Sequence, residues 1–249
     1  MKGKVIIDCF PKSAERYRHG YAIVVVDVIR ATTVATTAVS MGIRVFPAQT
    51  TDDAAQIAAT LNDPLLVGEL GGNMPYGFDI TNSPVLVAQR KDLHRPMVLV
   101  SSSGTQLLLN AVGSEAVYLA CFRNVSAVAR YIDGKHERIA VLGAGSRGEF
   151  RREDQMGCAW VAEKLVEAGY VPENRKTSDL ICRWHMVSPD EIRGGKSAAY
   201  LNHSGQQDDL QFILNHIDDL DTVPLLLNGE LISVFDRIEL KPARVARRI

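Results

Sequence analysis

The chain has 249 residues, 46% hydrophobic and 23% charged, with 28 Lys and Arg against 29 Asp and Glu. That length and apolar share suit one large or two small domains with a substantial core. A formal net charge of −1 excludes nucleic acid or an anionic membrane as a bulk electrostatic partner.

From the start of the chain, Met1 to Asp8 meets charge too early for a signal peptide. No apolar run approaches the ~20 residues needed to span a bilayer. Buried strands are expected at 22–28, 43–48, 65–68, 97–101, 116–119 and 138–142, where β-branched runs are apolar on both faces. Helices are expected between them at 32–41, 52–61, 105–112 and 126–132. Cys158, Val161, Ala162, Leu165 and Val166 then form a helical stripe, and Leu210, Ile213, Leu214 and Ile217 form another. No clear strand is expected between the first of these helices and the polar segment 172–178.

Beyond that segment the chain reads as mainly helical, with strand-like 224–227 and 231–235 that either close the sheet or form a small lobe. The organisation expected is an α/β core over 1–170, with 171–249 packed on it as one domain. A two-lobe division fits the pattern nearly as well. The basic ending, Lys241, Arg244, Arg247 and Arg248, reads as a solvated tail. Four scattered cysteines, Cys9, Cys121, Cys158 and Cys182, make no CxxC pair and no disulfide framework. A soluble protein in a reducing cytoplasm is the expectation.

Alternating strand and helix imply a mostly parallel sheet, whose ligands sit beyond the carboxyl ends of the strands. Asp27 ends the Val-rich strand, Arg30 follows within a turn, and Thr32 and Thr33 open a helix where free amides favour an anion. Ser101 to Thr105 repeats the hydroxyl-rich junction. The plainer readings are an Asp27–Arg30 ion pair and Thr or Ser N-caps. Glu69, Asp79, Glu153 and Asp154 are oxygen donors with no clustered His or Cys, the chemistry of Mg²⁺ or Mn²⁺. Singly, each also reads as a cap or a surface charge. None of the six histidines is assigned a ligand role.

Gly143 to Gly148 spells GxGxxG after a strand, but the helix and second strand of a dinucleotide site are not evident. Gly195-Lys196-Ser197 mimics the end of a P-loop, but Asp190 stands where its first glycine belongs. The run VVVDVIRAT is similar to the nucleophile strand of haloacid dehalogenase phosphatases. Ile29 replaces their second Asp, which argues against membership.

Together, Asp27-Val-Ile-Arg-Ala-Thr-Thr, Gly68-Glu69, Gly77-Phe-Asp-Ile-Thr-Asn-Ser-Pro84, Ser102-Ser-Gly-Thr105, Asn124 and Glu153-Asp154 resemble the 2-phosphosulfolactate phosphatase (ComB-like) family over residues 4–170. The resemblance implies a three-layer α/β/α fold with a mostly parallel or mixed sheet. It also implies Mg²⁺-dependent hydrolysis of (2R)-phospho-3-sulfolactate to sulfolactate and phosphate, in the coenzyme M route. Three departures stand out: Leu70 where the family usually has Arg, Ser102-Ser103 for Thr-Asn, and Gln155 to Ala159 in the helix after Glu-Asp.

On this reading the metal is held by carboxylates drawn from Asp27, Glu69, Glu153 and Asp154, and Asp27 and Arg30 are catalytic. The substrate contacts are Arg30, Thr32, Thr33, Asp79, Asn82, Ser83, Ser102, Ser103, Gly104, Thr105 and Asn124. Asp27 is nucleophile, base or metal ligand. The partner is a small phosphorylated organic acid, with no nucleic acid or membrane, and a homo-oligomer is compatible. A non-catalytic small-anion-binding or regulatory protein, and a nucleotide-binding oxidoreductase using Gly143–Gly148, stand as alternatives.

Overall fold

The computed structural model describes residues 2–235; the basic ending from Lys241 to Arg248 lies outside them. One ten-stranded sheet runs through the molecule. In chain order its strands are β1 (Gly3–Cys9), β2 (Ala22–Val26), β3 (Val45–Ala48), β4 (Leu65–Gly68), β5 (Met97–Val100), β6 (Ala116–Ala120), β7 (Arg138–Gly143), β8 (Tyr170–Pro172), β9 (Pro224–Leu227) and β10 (Glu230–Ser233). Across the sheet they lie in the order β4-β5-β3-β10-β9-β6-β2-β7-β1-β8.

Two parallel blocks, β4-β5-β3 and β6-β2-β7-β1-β8, are therefore joined by the antiparallel β9–β10 hairpin. The hairpin meets each block through one residue pair, Leu231 with Val45 on one side and Leu225 with Tyr118 on the other. Its turn is Asn228-Gly229, both with positive φ, the chemistry that a two-residue hairpin demands.

The helices are α1 (Ala14–Tyr17), α2 (Ala31–Ser40), α3 (Thr51–Ala58), α4 (Pro84–Ala88), α5 (Gly104–Asn110), α6 (Val125–Ile132), α7 (Arg152–Glu167), α8 (Arg175–Trp184), α9 (Lys196–His203) and α10 (Gln207–Asn215). They cover both faces of the sheet, which explains why β2 is buried at every residue. Val24 and Val26 join a core with residues of α6 to α10, whereas Ile23 and Val25 join a second core with residues of α1, α2 and α5. Period-two alternation thus divides one Val-rich run between two cores. A smaller cluster packs Ala54 of α3 on Ala48, Val98 and Val100. This is the three-layer α/β/α arrangement with a mixed sheet.

The expected strands and helices are present with their ends shifted by a residue or a few. Four elements are additional: β1, the short helices α1 and α4, and β8. The expectation of no strand after α7 is corrected by β8, which pairs with β1 over Gly3 to Val5. Its three residues are too few to show a period. Strand-like 231–235 is shorter than expected, ending at Ser233. Among the described residues, no helix is long and apolar enough to cross a membrane.

Candidate active site

The loops after β2, β4, β5 and β7 converge on a cavity of about 500 Å³, closed from the other side by α9. Its wall includes Asp27 and Arg30 after β2, Glu69 after β4, Ser102 and Ser103 after β5, and Asn82. Glu153 and Asp154 at the start of α7 complete the acidic part. Eight of the expected site residues are thereby brought together.

Asp27 is 7% exposed, at the point where β2 hands over to α2. Thr32 fixes that corner: its hydroxyl donates to the Asp27 carbonyl at 2.8 Å and accepts from the Asp27 amide at 2.9 Å. The Asp27 side-chain Oδ1 accepts only a long bond, 3.3 Å, from the Ala31 amide. Its Oδ2 lies against Gly104, where an added Cβ would sit 2.3 Å from that oxygen and 2.5 Å from the Ala31 Cβ. Glycine is required there by close approach, not by an anion on the helix end. Burial pushes the Asp27 carboxyl up to about 7, with Glu69 and Glu153 adding repulsion and the Ala31 amide and Arg30 opposing it.

The other carboxylates divide by how their oxygens are used. Asp154 accepts from the Val28 amide at 3.0 Å and the Gly145 amide at 2.9 Å, so it staples the β2 and β7 loops together. Its carboxyl is nevertheless raised, by burial and then by Asp27 and Glu153. Glu69 accepts from the Ser102 amide at 2.7 Å, the Ser102 hydroxyl at 3.1 Å and the Gly72 amide at 2.7 Å, organising the β4 and β5 loops. Glu153 is different. It is 1% exposed, and its Oε2 has no hydrogen-bond partner. Burial raises its carboxyl too, with Ser197 of α9 offsetting part of the rise.

Among the described residues, no three His, Cys, Asp or Glu side chains stand grouped to hold a metal ion. Among the four acidic residues expected as metal ligands, carboxylate oxygens without short protein bonds belong to two, Asp27 and Glu153. Two hard carboxylates facing one cavity suit Mg²⁺, which characteristically takes one or two carboxylates and fills its shell with water and substrate oxygens. The donor chemistry fits that cation through Asp27 and Glu153; Glu69 and Asp154 are already engaged by backbone amides.

Arg30 is 5% exposed and caps α2 after a cis Ile29–Arg30 peptide. Its Nη1 donates to Gln206 and to Asp209 of α10. Asn82 is 2% exposed, lines the cavity and has an Oδ1 with no partner.

Seven expected contacts are not part of the wall. Thr33 bonds the Val28 carbonyl at 2.8 Å, and Thr105 exchanges bonds with Ser101. Ser83 caps α4 and donates to Asp209. Asp79 accepts from the Leu66 amide at 2.8 Å and pairs with Arg95. Asn124 is wholly buried, bonding the backbone of Cys121, Leu119 and Thr222. Thr32 and Gly104 shape the corner from behind, as described above. Hydroxyls and amides of this kind close loops as readily as they bind ligands, and spacing does not separate the two uses.

Arg147, Arg151, Lys196, Ser197 and Tyr200 also line the cavity and were not among the expected residues. For Arg147, Lys196 and Ser197 the signal was present in Gly143–Gly148 and Gly195-Lys196-Ser197; Arg151 and Tyr200 stand outside both segments and had none. Both segments fail as nucleotide motifs, yet both reach this wall. The dinucleotide alternative is disfavoured by geometry: α7 begins only at Arg152, and β1 separates β7 from β8. Gly145, at φ +62°, instead carries the tight turn that offers its amide to Asp154.

The sequence profile of the 2-phosphosulpholactate phosphatase family matches residues 9–229. A protein of Caldanaerobacter subterraneus subsp. tengcongensis is 30% identical over 83% of this chain and 88% of its own length. One from Thermotoga maritima is 32% identical over 84% and 90%, and one from Clostridium perfringens 27% over 94% and 97%. Each of the three is named "Probable 2-phosphosulfolactate phosphatase". With a profile covering most of the chain and relatives at 30% and 32% identity over more than four fifths of it, this chain belongs to the 2-phosphosulfolactate phosphatase family.

Proposed function

We propose that this protein is a phosphoric monoester hydrolase acting on a small 2-hydroxy acid phosphate of the 2-phosphosulfolactate type, with Mg²⁺ as cofactor. The observation that carries the reading is the pairing, in one cavity, of two buried carboxylates with free oxygens and a buried guanidinium. Family membership supplies the substrate class. When bound at Asp27 and Glu153, Mg²⁺ would neutralise phosphoryl oxygens.

Phosphoryl transfer demands positioning and charge stabilisation more than covalent chemistry. Arg30 binds the phosphoryl oxygens and opposes the charge that spreads over them. Ser102 and Ser103 border the same space, held by the Glu69 bonds to Ser102. Asp27 orients the attacking water and takes its proton as the new P–O bond forms and the ester P–O bond breaks. The leaving alkoxide takes a proton from solvent and Asp27 returns its own to solvent, giving the free hydroxy acid and inorganic phosphate. The unpartnered Asn82 Oδ1 accepts a hydrogen bond from the substrate or its water.

The test is phosphate release from a panel of 2-phospho-hydroxy acids, with and without Mg²⁺. Asp27→Asn should lose Mg²⁺-dependent release by at least about 10²-fold, the scale of removing a positioned acid–base group, while keeping its fold by circular dichroism. Full activity in that variant overturns the assignment. Absence of turnover by the native chain on every panel member, with ligand-induced stabilisation intact, would favour a small-anion-binding protein.

A further inference from the structure

We propose that Asp209, on α10, is the positioning residue for Arg30 and so sets the anion-binding geometry of the cavity from the C-terminal third of the chain. The inference rests on the reading of Arg30 as the phosphoryl-binding group. Asp209 is 3% exposed and its carboxylate bridges three segments that are distant in sequence. Oδ2 accepts from Arg30 Nη1 at 2.5 Å. Oδ1 accepts from the Ser83 hydroxyl at 2.5 Å and from the Val85 amide at 3.4 Å, at the start of α4.

One carboxylate therefore ties the cap of α2, the start of α4 and α10 into a single unit. Each end of that unit reaches the cavity: Arg30 at one, Asn82, next to Ser83, at the other. The pair is buried on both sides, with side-chain exposures of 4% and 4%. Removing one member of such a pair leaves an uncompensated charge in a dry setting, so the survivor must move. Asp27 is the acidic group facing Arg30 from the cavity side. Gln206 shares Nη1 but is neutral. Asp209 is thus the counter-charge that lets Arg30 stay anchored behind the wall while its remaining N–H groups serve the cavity.

Asp209→Asn keeps an acceptor for Ser83 and Val85 but removes the charge that holds Arg30. The probe is inorganic phosphate, measured by calorimetric titration on the full chain, alongside turnover of the panel substrates. The expected result is about tenfold or greater loss of phosphate affinity in Asp209→Asn, because a misplaced clamp is penalised steeply. Arg30→Gln should lose at least as much, and Arg30→Gln with Asp209→Asn should be no worse than Arg30→Gln alone. That non-additivity is what a merely structural role would not produce.

If Asp209→Asn does not fold, Asp209→Glu keeps the charge and displaces it, and weakened phosphate binding is again expected. Native phosphate affinity in whichever variant folds, or losses that add fully in the double variant, overturns the inference. If the native chain hydrolyses no panel substrate but the cycle is non-additive, the phosphatase reading falls and the positioning role stands. If turnover is normal and Asp209→Asn binds phosphate like the native chain, the reverse holds.

Discussion

Asp27 ends the most thoroughly buried strand of the sheet, and its carboxyl is raised from 3.8 to about 7 by burial first and by Glu69 and Glu153 after it. Unfolding exposes that carboxyl to water, where it ionises near its ordinary value. Between pH 4 and 7 the folded chain holds a proton that the unfolded chain has released. Stability therefore falls as pH rises through this window and levels off above about 7, by an amount on the order of a few kcal/mol. Asp27→Asn removes the titrating group without changing its shape. In metal-free buffer it should melt higher than the native chain at pH 7.5, with the gap closing towards pH 4. Mg²⁺ added at pH 7.5 should raise the melting temperature of the native chain and leave that of Asp27→Asn nearly unchanged. Equal melting curves of the two chains across the whole range would contradict this account of Asp27. The residue was legible in the sequence because a lone acid at the end of a Val and Ile run has few innocent explanations. The jobs of its neighbours were not legible. Asp154 and Glu69 look like metal ligands in the sequence, and only the backbone amides around them show what their oxygens already hold.

Among elements, α7 connects site and scaffold most directly. Its buried face packs into the larger core through Met156, Cys158, Val161, Ala162 and Leu165, while its first turn delivers Glu153 and Asp154 to the cavity. The apolar stripe of this helix was readable from its period, and so was the acidic pair at its start. What the pair does depends on a rotation that the period leaves open, one acid facing two backbone amides and the other left without a partner at Oε2. Asp154→Ala would strand the Val28 and Gly145 amides in a buried setting, at roughly 1–3 kcal/mol for each unsatisfied group. A loss of about 2–6 kcal/mol in chemical denaturation is expected for the two amides together, and a smaller loss for Asp154→Asn, which retains one acceptor oxygen. A native midpoint for Asp154→Ala would show that the two loops do not depend on this staple. The GxGxxG segment lies at the end of β7 and in the loop that leads into this helix. Its glycines serve a turn that approaches Asp154, which is why the spelling matched a dinucleotide loop while the helix began too late for one.

At the scale of the whole molecule, the chain's last described strands occupy the middle of the sheet. A break after residue 170 looks natural in the sequence, because the strand–helix alternation stops there and a polar segment follows. The strand order contradicts any independence that this break suggests: β9 and β10 stand between β3 and β6, and without them the two parallel blocks share no ladder. Leu231 sits in one core and Leu225 in the other, so the hairpin also seals both faces where the blocks meet. Sequence patterning identifies a strand and its faces but not its neighbours, and a returning hairpin that inserts far from its own place in the chain gives no local sign of doing so. A chain ending at residue 170 would expose β3 and β6 as two open, apolar edges, the kind of surface that pairs with other molecules. It would lose Asp209, Lys196 and Tyr200 from in and around the cavity as well. We expect that truncated chain to aggregate, or to give no cooperative thermal transition, where the full chain gives one. Adding residues 171–249 back as a separate polypeptide should restore neither turnover nor phosphate binding unless the hairpin inserts. A soluble, cooperatively melting fragment that binds phosphate with native affinity would refute the argument, because it would show that the parallel blocks hold the site together without the strands between them.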